Sequence, residues 1–100
     1  MRRPNLDAEF SALVETWRKE KVFNSSTTEL AMHPAYQKII GMGPDALPLI
    51  FRELERQPDH WFWALKAITG ADPVKPEDRG RIAKMAAAWL NWAKEQGVRW

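Results

Sequence analysis

The chain has 100 residues, 45% hydrophobic and 28% charged, with 15 basic and 13 acidic side chains and a formal charge of +2. That length makes one domain, residues 1–100, able to bury roughly two thirds of the surface its unfolded form exposes, enough for one unstapled core. The lack of cysteine excludes disulfides, thiolate metal sites and a cysteine nucleophile, and no apolar run reaches the ~18 residues of a membrane span.

Met1-Arg2-Arg3-Pro4-Asn5 is basic but leads into an amphipathic segment carrying acids, which is not a signal-peptide core. With no cysteine to oxidise, a cytoplasmic location is expected. The first helix is expected from about Leu6 to about Phe23, capped by Asn5 or Asp7. Leu6, Phe10, Leu13, Val14 and Trp17 recur at helical spacing on one face, with Glu9, Glu15, Arg18 and Lys19 on the other. Asn24-Ser25-Ser26-Thr27-Thr28 breaks the pattern, because such side chains compete with the backbone for hydrogen bonds. Thr27 or Thr28 starts a turn through Met32. His33 can cap a short helix from Pro34 to Ile40, which Gly41 closes.

Gly43-Pro44 opens the next helix, to about Gln57, unless Pro44-Asp45-Ala46 is a separate turn and Pro48 marks the start. Leu47, Ile50, Phe51 and Leu54 form its apolar face; Leu49 lies opposite, beside Arg52 and Arg56. Asp59 is placed to cap a helix reading His60-Trp61-Phe62-Trp63-Ala64-Leu65-Lys66-Ala67-Ile68-Thr69, ended by Gly70 in a left-handed cap. At 100° per residue Trp61, Ala64, Leu65 and Ile68 share a face and Trp63 points nearly the opposite way. A helix with two apolar sides is either sandwiched or offers one side to a partner. So either the first or last helix packs over Trp63, or Trp63 is a docking residue. Trp17, Trp61 and Trp89 are expected in the core, and Trp100 is frayed or tucked back.

Two prolines forbid helix in Ala71-Asp72-Pro73-Val74-Lys75-Pro76, an extended linker. The last helix starts at Glu77 or Arg81 and stops at Gly97, with a stripe of Ile82, Met85, Ala86, Trp89, Trp92 and Ala93. No segment alternates with period two. The expected fold is therefore all-α, a compact bundle of about five helices.

Ile39-Ile40-Gly41-Met42-Gly43-Pro44 and Ile68-Thr69-Gly70-Ala71-Asp72-Pro73 share the pattern Ile-x-Gly-x-x-Pro. Each suggests a last apolar contact, a left-handed cap and a proline that blocks further helix. Residues 43–70 resemble a HEAT-type helical repeat, Gly43 to Ile50 matching the opening of its first helix and Pro58-Asp59 to Gly70 its second. The chain has room for about one and a half such units, so the resemblance implies a HEAT-like hairpin within a bundle. It also implies that the second helix, with Trp63, lines a binding surface. The longer string from His33-Pro34-Ala35-Tyr36-Gln37 through Thr69-Gly70 is similar to short bacterial proteins of unassigned function and implies no activity.

Catalytic patterns are missing. His33 and His60 are the two histidines, and with Asp59 or Glu29 they follow no metal-ligand spacing. Ser25 or Ser26 has no nucleophile elbow around it, and Gly41-Met42-Gly43 has no phosphate-loop lysine. A non-enzymatic protein without cofactor is expected. Two binding readings remain. Trp63, His60, Lys66 and Leu49 form a candidate protein-docking set, since indoles anchor interfaces. Arg79, Arg81 and Lys84, with Lys66 and Lys75 near, form a candidate nucleic-acid patch that could hold phosphates while aromatics stack bases, although Glu77 and Asp78 interrupt it.

Overall fold

Helix caps and proline positions divide the chain much as the sequence suggests. The computed structural model describes residues 5–21 and 25–100. It contains helices α1 (Leu6–Glu20), α2 (Thr27–Met32), α3 (Pro34–Gly41), α4 (Leu47–Arg56), α5 (Phe62–Thr69) and α6 (Ile82–Glu95). Short 3-10 turns occupy Gly43–Ala46 and Pro76–Asp78, and no strand occurs among the described residues. The Cα radius of gyration is 13.1 Å, close to the ~13 Å of a folded body of this length. The chain is an all-α compact bundle.

Helix α1 starts where its amphipathic pattern starts, but Asn5 makes no side-chain capping bond. Asp7 is engaged elsewhere, accepting from both Nη atoms of Arg52 at 2.8 and 3.1 Å. The helix does not run on to about Phe23: it ends at Glu20, where Lys21 is extended with φ −72° and ψ 136°, and residues 1–4 and 22–24 lie outside the described residues. The turn expected near Thr27 is a six-residue helix, which raises the described helix count from five to six. Its stability comes from a capping box: Ser26 Oγ accepts from the Glu29 amide at 3.1 Å, and Glu29 Oε1 accepts from the Ser26 amide at 3.3 Å. His33 caps α3 as expected, its Nδ1 accepting from the Ala35 amide at 3.0 Å. The proton then sits on Nε2, which donates to Glu20 Oε1 at 2.8 Å and ties α3 to the end of α1.

The two look-alike helix exits differ. Gly70 is left-handed, with φ 73°. Gly41 is instead the last residue of α3, and the left-handed position falls two residues later at Gly43, with φ 70°. Pro44 then sits inside a 3-10 turn, and α4 begins at Leu47 with Pro48 in its first turn. A proline costs nothing there, since its missing N–H would have had no intrahelical partner.

Three aromatic rings close the centre. Trp17 lies 4.7 Å from Trp61 and 5.5 Å from Tyr36, and Tyr36 stacks on Trp61 at 5.7 Å with an interplanar angle of 8°. All three are fully buried. Such ring pairs add about 0.5–1.5 kcal/mol each beyond the area they bury. The Trp17 indole donates to the Leu30 carbonyl at 3.0 Å, which holds α2 on α1. At the other end Phe51 packs against Trp92 and Trp100. The Trp100 indole donates to Glu55 Oε1 at 3.1 Å, so the tail is tucked back. Val74, in the proline-flanked linker, is also buried, a core position that periodicity had no means of marking.

Asp59 departs from its expected role. Helix α5 begins at Phe62, with Trp61 at the N-cap position and no side-chain cap. Asp59 Oδ1 accepts from the next amide, His60, and its Oδ2 accepts from Lys21 Nζ at 2.8 Å. Nearby, Arg18 Nη1 lies 2.7 Å from Glu53 Oε1, and Arg56 donates to the same oxygen at 2.6 Å. Glu53 is the buried charge of the described residues. Arg18 Nε and Nη2 are buried without hydrogen bonds, as is the Trp61 indole nitrogen.

Candidate functional site

The start of α5 is set from outside its own sequence. The Tyr36 hydroxyl, carried on α3, donates to the His60 carbonyl and accepts from the Ala64 amide, each at 2.9 Å. The amide of Ala64 is one of the donors that a helix leaves unpaired in its first turn. A tyrosine from another helix therefore does the work that a capping residue usually does. This hydroxyl pins the rotation of α5. Trp61, Ala64 and Leu65 turn fully inward and Trp63 turns outward, where 44% of its surface stays exposed.

Neither terminal helix covers that indole. Beside it opens a groove of about 720 Å³, walled by α5 on one side and by residues 72–80 with the first half of α6 on the other. Its floor is apolar: Phe62, Val74, Ile82, Met85 and the buried Trp89. His60, Trp63, Ala67 and Thr27 contribute to the lining. The volume falls in the ~300–1,000 Å³ range typical of ligand pockets.

Charge gathers at one edge of the groove. Asp72 Oδ2 accepts from Arg79 Nη2 at 2.8 Å and lies 3.4 Å from Lys66 Nζ. One carboxylate oxygen thus serves two cations. The hydrogen bond from Arg79 holds the Asp72 carboxyl below the usual carboxylate range; partial desolvation opposes this, and the charges of Arg79 and Lys66 reinforce it. Below its lowered pKa the carboxyl takes up a proton and lets both cations go.

Of the expected docking set, His60, Trp63 and Lys66 meet on this groove. Leu49 does not join them. It is half-buried and packs against the core, so lying opposite the main apolar face of α4 did not put it on the surface. Of the expected basic patch, Arg79 lines the groove, whereas Arg81 and Lys84 are exposed outside its lining. Sequence reasoning missed Asp72, whose part depends on the linker doubling back beside α5. Of the expected core stripe of α6, Met85 packs against the core while also lining the groove, and Ile82 lines the groove. Their position in the first turn of α6, where the linker leaves them half-exposed, makes them groove lining.

Among the described residues no three or more histidine and carboxylate side chains are gathered to hold a metal ion, and no helix is long and apolar enough to cross a membrane. Comparison with protein-family models, with curated proteins and with solved structures returned no match.

Proposed function

We propose that this protein is a non-enzymatic interaction module, a regulator or accessory subunit in the bacterial cytoplasm, that docks a segment of another protein in the α5–α6 groove. One observation carries this reading: a large indole, Trp63, stands 44% exposed on the lip of an apolar groove. Interfaces concentrate binding energy in aromatic anchors set beside desolvated pockets. The resemblance of residues 43–70 to a HEAT-type repeat, which implies that α5 lines a binding surface, agrees with it. The absence of cysteine fits a reducing compartment.

Affinity capture from the source cell, run in parallel with the parent protein and with Trp63→Ala, tests the reading. Trp63→Ala should keep the fold, which far-UV circular dichroism checks, because the side chain lies outside the core cluster. A protein retained by the parent and lost with the variant is the expected outcome. Equal retention by both, or none by the parent, removes the groove as a docking site. The exposure of Arg81 and Lys84 at the start of α6 favours a second reading, a nucleic-acid contact. That contact should be tightest at low salt, and no gel shift at ~50 mM salt eliminates it.

A further inference from the structure

The groove pairs an apolar interior with an uneven charge count at its edge. Lys66 and Arg79 converge on a single oxygen of Asp72. A lysine carries three donors and an arginine five, so most of their donors remain unused by this contact. Two cations against one carboxylate leave an excess positive charge beside the Trp63 indole. Lys66 and Arg79 are both more than half exposed, so they can turn toward an incoming group without being unburied.

Resting on the docking role proposed above, we infer that the partner is an acidic protein segment. A large aliphatic or aromatic side chain enters the groove against Trp63 and Met85. A carboxylate one or two residues away completes the charge balance at Lys66 and Arg79. Charge complementarity selects this occupant over a nucleic acid. A phosphate chain needs a track of cations, whereas this edge offers one excess charge and a carboxylate, Asp72, that repels phosphate.

Selection from a random dodecapeptide display library tests the inference. The immobilised parent protein serves as bait, with counter-selection on Trp63→Glu. Ala67→Arg, which plugs the exposed lip of the groove from a helix position, serves as a second blocked variant should Trp63→Glu fail to fold. The expected result is enrichment of peptides with Asp or Glu within two residues of Trp, Phe or Leu. Enriched peptides should bind Lys66→Gln and Arg79→Gln about five- to tenfold more weakly than the parent, and about 0.5 M salt should erase most of that difference. Enrichment that depends on Trp63 but lacks acidic residues overturns the inference and leaves the docking role standing. Failure to enrich any groove-dependent peptide overturns both. Tighter binding of oligothymidylate than of the best peptide, lost in Trp63→Glu, assigns the groove to single-stranded nucleic acid and also overturns the inference.

Discussion

Tyr36→Phe isolates the contact on which the geometry of the groove depends. The substitution removes one oxygen and keeps the ring stacked on Trp61 and tilted against Trp17. It leaves the buried Ala64 amide without an acceptor and the part-buried His60 carbonyl without its donor. An orphaned buried donor costs about 1–3 kcal/mol, and a part-buried carbonyl that can reach water costs less. We expect a loss of about 2–3 kcal/mol. For a domain of this size each kcal/mol moves the melting point by about 4–8 °C, so Tm should fall by about 10–20 °C. Urea titration followed by far-UV circular dichroism measures it, with a substitution at the exposed Lys84, Lys84→Ala, as a control that should stay within about 0.5 kcal/mol. Fraying of the α5 start should appear as faster hydrogen exchange at Ala64. A loss below about 0.5 kcal/mol with unchanged exchange would show that the hydroxyl does not cap α5.

The same residue predicts a pH response: burial, aided by the charge of Asp59 and opposed by the bond from Ala64, holds the Tyr36 phenol well above its ordinary value of 10.0. The folded protein keeps a proton that the unfolded chain gives up above pH ~10. The stabilisation is therefore whole below that pH and drops by about 1.4 kcal/mol per unit above it; Tyr36→Phe should lack this increment of slope. Gly41→Ala and Gly70→Ala should act with opposite signs in thermal melts. Gly41 is helical with open space around it, so alanine should add about 0.5–1 kcal/mol, while Gly70 needs its φ of 73° and should lose about 1 kcal/mol. Glu53→Ala takes from the mostly buried Arg18 the nearer of its two carboxylates and leaves Asp59 Oδ2 at 3.8 Å; it should cost about 1–3 kcal/mol, whereas Arg18→Met with Glu53→Leu should restore most of that loss. A double variant no more stable than Glu53→Ala alone would contradict a desolvation cost at Arg18.

Local chemistry made much of this protein legible in its sequence. Helical spacing of Phe10, Val14 and Trp17, of Ile50, Phe51 and Leu54, and of Ala86, Trp89 and Ala93 placed about half of the buried core, because each stripe buries only if its helix forms. The cap at His33 and the left-handed stop at Gly70 were equally visible, since both depend on residues adjacent in the chain. Trp63 could be assigned to the non-core side of α5, but whether another helix covered it could not be read. Periodicity reports the direction of a side chain relative to its own helix and says nothing about what arrives from elsewhere. That decision belonged to tertiary contacts: a tyrosine on α3 that fixes the rotation of α5, and a linker that carries Val74 into the core and Asp72 to Lys66. For the same reason Leu49 became packed against the core and two identical-looking glycine exits took different backbone conformations. Patterns between neighbours in sequence determine which elements exist. The groove is made by residues far apart in the chain, so it exists only once the bundle has closed.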